Sequence, residues 1–175
     1  INKFIQDGYQ LLYELDAVDR DFKILPMGHQ LAKLPLDPSL GRILIESNKQ
    51  ACLNEILIII SALSISDPRE RPLDKAEKAD QAHLLFHDPD SGFMSFIKLW
   101  KLLDEKISIK SGKGLRTFCQ QYFVSYTRIR EWQELYKQLA EMTKELDFKM
   151  SQKKVTYERI HISLQIGRAS CRERV

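Results

Sequence analysis

The chain has 175 residues, 43% of them hydrophobic and 29% charged, enough apolar surface for one fair-sized domain or two small ones. Its longest apolar run, Ile56 to Ile60, is far below the roughly 20 residues of a bilayer-spanning helix, and Ile1 onward lacks the basic-then-apolar pattern of a signal peptide. The formal charge of +3 is too small to single out nucleic acid, and Cys52, Cys119 and Cys171 have neither CxxC spacing nor an even count, which suggests neither a disulfide framework nor a zinc site. A cytoplasmic, mostly α-helical protein is expected, because Leu, Ile, Lys, Glu and Gln are plentiful while Gly and Pro number only 7 and 6.

In chain order, Ile5, Tyr9, Leu11, Leu12, Leu15 and Val18 recur at helical spacing and predict one amphipathic helix. Phe22 to Leu25 is a short β-like run closed by Pro26 to Gly28, suited to a wing hairpin. Asp37 followed by Pro38 is a helix start, an N-cap acceptor before a residue of pre-set φ, and a helix through Leu40, Ile43 and Leu44 follows. Leu53 to Leu63 is apolar nearly all round and predicts a buried central helix.

Ser64 to Pro72 reads as a charged loop, Asp74 to Phe86 as a helix, and Asp88 to Gly92 as a turn whose Asp90 or Ser91 caps a helix carrying Phe93, Phe96, Ile97, Trp100 and Leu103. After a loop at Lys110 to Gly114, a short helix from Leu115 to Phe123 leads into a long one from about Ser125 to Leu146. Its stripe is Ile129, Trp132, Leu135, Tyr136, Leu139, Met142 and Leu146. Phe148 to Lys154 is a polar linker and Val155 to Leu164 begins a last helix.

Ile166 to Val175, IGRASCRERV, breaks off that pattern without a cap or turn signal. It back-translates as ATC GGA AGA GCG TCG TGT AGG GAA AGA GTG, which is a short-read sequencing adapter, with Gln165 as a hybrid codon. Residues 165–175 are expected to be a translated artefact rather than native sequence. Without them 24 basic residues face 23 acidic ones, and Arg168, Cys171, Arg172 and Arg174 carry no functional argument. Ile1 likewise starts in mid-pattern, so the chain is expected to be truncated at both ends.

Several patterns are best read as structure. Trp132 lies in the long helix's stripe, which favours core packing over base stacking. His83 and His87 share a helical face, but residue 84 is Leu and no third ligand is apparent, so a metal site is disfavoured. Asp88, Asp90 and Gly92 resemble the start of a calcium loop, yet its twelfth position is Leu99. Lys113 between two glycines lacks the rest of a phosphate loop. Cys52 and Cys119 are expected to be small core residues.

The segments DGYQLLYELDAV (Asp7 to Val18), LPMGHQLAKLPLDPSLGRILIES (Leu25 to Ser47), CLNEILIIISALSISDPRERP (Cys52 to Pro72), DQAHLLFHDPDSGF (Asp80 to Phe93) and FCQQYFVSYTRIREWQELYKQL (Phe118 to Leu139) carry a family resemblance. They resemble the helicase-associated region of DEAH-box RNA helicases, and the words DPRERP and RIREW resemble the bacterial HrpA branch. The likeness spans essentially residues 1–164, with Gly92 standing where an acidic residue is expected. It implies a winged helix with a short β wing over residues 1–48, then a ratchet-type helical bundle over 49–164, cut short at its C-terminus.

The resemblance further implies an accessory role in a 3′ to 5′ ATP-dependent RNA helicase. The winged helix and ratchet wall a passage for single-stranded RNA, partnered by RecA-like and OB-type domains outside this chain, with ATP and Mg in those motor domains. This chain has no GxxxxGK[ST], DEAH or arginine-finger motif, so no catalytic residue, cofactor or metal is assigned to it. Binding RNA without sequence preference needs cations for phosphates and flat side chains for bases. Arg69, Arg71, Ser125, Tyr126, Arg128 and Arg130 are the candidates: Arg128 for a phosphate, the helix start at Ser125 for backbone N–H donors, Tyr126 for a base or sugar. Arg69 and Arg71 stand beside Asp67 and Glu70, so a salt-bridge network is an equal reading of them. Arg128 and Arg130 face different ways. Two rivals remain, a winged-helix DNA-binding regulator with a helical effector domain, whose recognition helix here offers only Arg42 and Lys49 against Glu46, and a helical protein-interaction adaptor.

Overall fold

The computed structural model describes residues 2–106, 112–149 and 155–168. They form α1 (Asn2–Glu14), α2 (Pro26–Leu31), α3 (Pro38–Lys49), α4 (Leu53–Leu63), α5 (Ala76–His83), α6 (Gly92–Lys106), α7 (Gly112–Tyr122), α8 (Tyr126–Glu145) and α9 (Tyr157–Arg168), with one 3₁₀ turn at Leu73–Lys75. The mostly helical expectation therefore holds. The chain divides into a first unit, Ile1–Ile56 with Met142–Val175, and a second, Leu57–Glu141. Within the predicted artefact, residues 169–175 lie outside the described residues, and α9 runs on to Arg168.

In the first unit α9 packs along α3, and α2 rests on α3. The interior gathers Leu15, Ala17, Leu31, Leu34, Ile43, Leu44, Cys52, Leu53, Ile160 and Leu164, all buried. The start of α3 is as expected: the Asp37 side chain accepts the Ser39 N–H at 2.9 Å, and Pro38 occupies the first turn, where no N–H is required. Glu46 is buried on α3 yet charged, and Arg42 (3.5 Å), Lys49 (3.2 Å) and Gln50 (3.2 Å) surround its carboxylate. Burial pushes that carboxyl up, but these donors outweigh it and hold it below its ordinary range.

The expected β wing is not present as a strand among the described residues; it is reduced to one antiparallel bridge, Val18 with Ile24. The cause is local. Asp19 Oδ1 accepts the N–H groups of Asp21 and Lys23, both at 2.9 Å, and this tight turn takes up the residues that a ladder would need. Pro26 then opens α2 at once, a helix that the sequence pattern did not predict. Gly28 allows α2 to lie against the chain at Ala17: a Cβ there would stand 2.2 Å from the Ala17 carbonyl oxygen, which already accepts the Leu25 N–H.

The second unit is built round the apolar run of α4. Leu57, Ile59 and Ile60 are fully buried, as are Ile129, Trp132 and Leu139 from α8, with Phe86 and Leu99 nearly so. Trp132 is a core residue, its Nε1–H directed at the Ile58 carbonyl (3.1 Å) and Ser61 Oγ (3.0 Å), while Phe96 and Trp100 meet its ring edge-on. The indole nitrogen thus has partners inside an otherwise apolar interior.

Four helices stop in the same way, without glycine. Asp16, Ala51, Phe123 and Asp147 take left-handed φ of 51° to 57°, and the N–H of the next residue returns to the carbonyl five back: Ala17 to Leu12, Cys52 to Ser47, Val124 to Cys119 and Phe148 to Thr143, at 2.8–3.0 Å. This is the Schellman closure, which glycine usually occupies because a Cβ costs roughly 1 kcal/mol in that conformation. It explains why α1 ends at Glu14 rather than running to Val18.

Two substitutions test these backbone statements in thermal denaturation. Ala51→Gly should stabilise the chain by about 0.5–1 kcal/mol, raising the melting temperature by roughly 1–4 °C. Gly28→Ala should destabilise it by about 1–3 kcal/mol, because the obstacle is backbone and cannot turn aside.

Candidate nucleic-acid interface

All six predicted RNA-contacting residues belong to the second unit, in the loop after α4 and at the start of α8. The two segments are joined by main chain. Glu70 N–H donates to the Phe123 carbonyl and Ser125 N–H to the Pro68 carbonyl, each at 2.8 Å, with Arg69 and Val124 paired as an antiparallel bridge between them. Left-handed Phe123 turns its carbonyl toward the loop; it also lies 3.0 Å from His83 Nε2, which must carry the proton since a carbonyl only accepts.

Asp67 organises the side chains around this ladder. Its carboxylate takes the Arg69 N–H and Nε–H, both at 2.9 Å, and Arg69 Nη2 at 2.5 Å, while its carbonyl accepts Arg128 Nη1 at 2.9 Å. The Arg69 guanidinium also stands 5.6 Å from the centre of the Phe96 ring. Burial pushes the Asp67 carboxyl up, but the Arg69 side-chain and backbone hydrogen bonds dominate and hold it below the ordinary aspartate range. Arg69, Ser125 and Arg128 are therefore brought together.

Arg71 is instead clamped in bidentate fashion by Asp80 of α5 (2.7 and 2.8 Å). Arg130 lies two positions past Arg128 on α8 and is exposed. Ser125's own N–H is engaged by Pro68, so N–H groups offered to a phosphate would come from the residues after it. Half-buried Tyr126 has a neighbour that the sequence reading missed: the Arg116 guanidinium of α7 lies 5.1 Å from its ring centre. Nothing in the sequence links positions 116 and 126, because the contact depends on how tightly the chain reverses at Phe123. Arg116 and Tyr126 line a cleft of about 340 Å³ with Glu70, Cys119, Gln120 and Val124.

His83 is engaged with Phe123 as above, and the His87 carbonyl accepts Lys98 Nζ at 3.2 Å. Among the described residues no cluster of His, Cys, Asp or Glu could hold a metal ion. Asp88 caps its own turn, accepting the Asp90 and Ser91 N–H groups at 3.1 and 3.0 Å and pairing with Lys98 at 2.9 Å. In the first unit α3 carries α9 along it, and Arg42 is tied to Glu46, which leaves little of a basic recognition helix. No described helix is long and apolar enough to cross a membrane.

Two family models match the chain. Residues 9–36 match the helicase associated domain (HA2), winged-helix, and residues 37–150 match the helicase associated domain (HA2), ratchet-like. The chain belongs to the HA2 family. Its HA2 sequence is 44% identical to the ATP-dependent RNA helicase HrpA of Escherichia coli over 93% of this chain and 13% of that protein. It is 39% identical to the HrpA homolog of Haemophilus influenzae over 94% and 13%. The pre-mRNA-splicing factor ATP-dependent RNA helicase prp22 of Schizosaccharomyces pombe is 28% identical over 74% and 11%. The chain is thus of HrpA type and spans about an eighth of the length of these relatives. The family boundary falls at Asp37, the N-cap of α3, and so assigns α3 to the ratchet-like part.

The Asp67 staple makes a measurable prediction for this HA2 chain. A carboxyl whose folded pKa is lowered adds stability that is complete above the unfolded value, roughly pH 4, and is lost as pH falls through the folded value. In an NMR acid titration the Arg69 amide, bonded to Asp67 Oδ1, should therefore shift with a midpoint below pH 4. A midpoint at or above it would mean that the staple is not formed in solution.

Proposed function

We propose that this chain is the RNA-contacting accessory region of a longer ATP-dependent 3′ to 5′ RNA helicase. In this reading the surface around the Pro68–Glu70 and Phe123–Ser125 ladder lines a passage for single-stranded RNA. RecA-like domains elsewhere in the longer protein hydrolyse ATP with Mg. This chain has no phosphate loop of its own, so nucleotide chemistry is not assigned to any of its residues.

The observation that carries the reading is the gathering of Arg69, Ser125 and Arg128 round Asp67, with Tyr126 one residue on. Single-strand binding without sequence preference calls for cations that track phosphates beside flat rings that meet bases. Arg128 is held by one nitrogen of its fork, which leaves further N–H donors for a phosphate oxygen. Arg71 and Arg130 flank the same stretch as additional cations, and the names of the relatives, all RNA helicases, point to RNA rather than duplex DNA. A cytoplasmic site of action follows from the same reading.

Fluorescence anisotropy with a single-stranded RNA oligomer tests it. Arg128→Ala should weaken binding about 5- to 10-fold and flatten the slope of log affinity against log salt by roughly 0.7, one phosphate contact on a single strand. Arg128→Lys, which keeps the charge, should keep the slope. An unchanged affinity and slope in Arg128→Ala would count against the assignment, and no RNA binding by the chain at all would favour the protein-adaptor reading.

A further inference from the structure

We propose that the cleft lined by Glu70, Arg116, Gln120 and Tyr126 takes one base of the bound strand and prefers guanine there. The inference rests on the RNA reading above and deepens it, adding a point of base selection to a surface otherwise indifferent to sequence.

Charge excludes a phosphate first. Glu70 and Arg116 line the same cleft, whose volume is about 340 Å³, so a polyanionic group would meet a carboxylate as well as a guanidinium. A neutral base avoids that repulsion. The walls suit one: the Arg116 guanidinium and the Tyr126 ring, 5.1 Å apart, form a cationic and aromatic pair against which a base stacks, and Val124 and Cys119 supply an apolar floor. Burial pushes the Cys119 thiol up to about 11, with the nearby Glu70 charge adding to the effect, so the floor is uncharged at neutral pH.

Hydrogen-bond complementarity then chooses among the bases. A carboxylate only accepts, with two oxygens side by side. Guanine is the one RNA base whose pairing edge presents two adjacent donors, N1–H and the N2 amine. Uracil offers a single N–H between two carbonyls, and adenine and cytosine each offer an amine beside an acceptor. Gln120, which also lines the cleft, has an amide N–H₂ to give to guanine O6. The Glu70 main chain is fixed by its N–H bond to the Phe123 carbonyl at 2.8 Å, and its carboxylate lies close enough for its charge to be felt at the Cys119 thiol.

The test is fluorescence anisotropy on the full chain at fixed salt. A ten-nucleotide oligouridylate is compared with strands in which one central uridine is replaced by guanosine, inosine or adenosine. The guanosine strand should bind about 5- to 10-fold more tightly than oligouridylate, within the discrimination a bidentate contact provides. Inosine, which lacks the N2 amine, should forfeit most of that gain, and adenosine should show none. Glu70→Gln should bring the guanosine-to-uridine ratio to about one, with an unchanged circular dichroism melt showing that the fold is intact. Equal binding of all four strands by the unmodified chain would overturn the guanine proposal while leaving RNA binding standing, as would a ratio that survives Glu70→Gln. Failure to bind any strand would overturn both.

Discussion

The carbonyl oxygen of Phe123 accepts two hydrogen bonds, from Glu70 N–H at 2.8 Å and from His83 Nε2 at 3.0 Å, so the loop after α4, the end of α5 and the turn between α7 and α8 all meet there. The carbonyl points that way because Phe123 is left-handed, at φ 51°. Take that conformation away and Ser125 N–H loses its approach to Pro68, the Arg69 bridge has no partner strand, and Arg128 no longer reaches the Asp67 carbonyl. The strain of a β-carbon in the left-handed region, on the order of 1 kcal/mol, is offset by two bonds to one oxygen and the closure of α7 on Cys119.

This construction orders the cations by availability. Arg69 is the least free: its backbone N–H and side chain both grip Asp67, and its guanidinium faces Phe96. It acts chiefly as the pin that holds the loop. Arg71 differs, since both partners of its pair with Asp80 are more than half exposed, and water screens such a pair enough for a phosphate to replace the carboxylate. Arg128 stands between the two, anchored at one nitrogen, its direction set by the protein. Such preorganisation lowers the ordering cost of binding without consuming the charge.

Much of the fold was legible in the sequence because it is written in period and in caps. The all-apolar run of α4, the Trp132 stripe of α8 and the Asp37–Pro38 start are local signals, and the helices stand where those signals fall. The helix ends were less legible. Glycine and proline are the usual stops, but here Asp16, Ala51, Phe123 and Asp147 close four helices in a conformation that their side chains do not advertise. The wing failed as a strand for a similar reason: the Asp19 side chain captures two N–H groups, and no spacing rule foretells that. At the candidate site, residue types could be guessed, but partners could not. Whether Arg69 meets Asp67 or Glu70, and whether Arg116 meets Tyr126, depends on a reversal of the chain that only the folded backbone defines.

The same dependence bears on how such a surface tolerates change. Side chains at its rim, such as Arg130, are exposed, so replacing one alters charge and little else. Asp67 and Phe123 touch no strand in the proposed role, yet each fixes a group that does: Asp67 sets Arg128 directly and the loop through Arg69, and Phe123 sets Glu70 and, with His83, the turn into α8. A change at either would act on binding through geometry and on stability at once. In the proposed role the most consequential residues are thus ones that a search for basic and aromatic side chains passes over, since their contribution lies in the hydrogen bonds that aim the others.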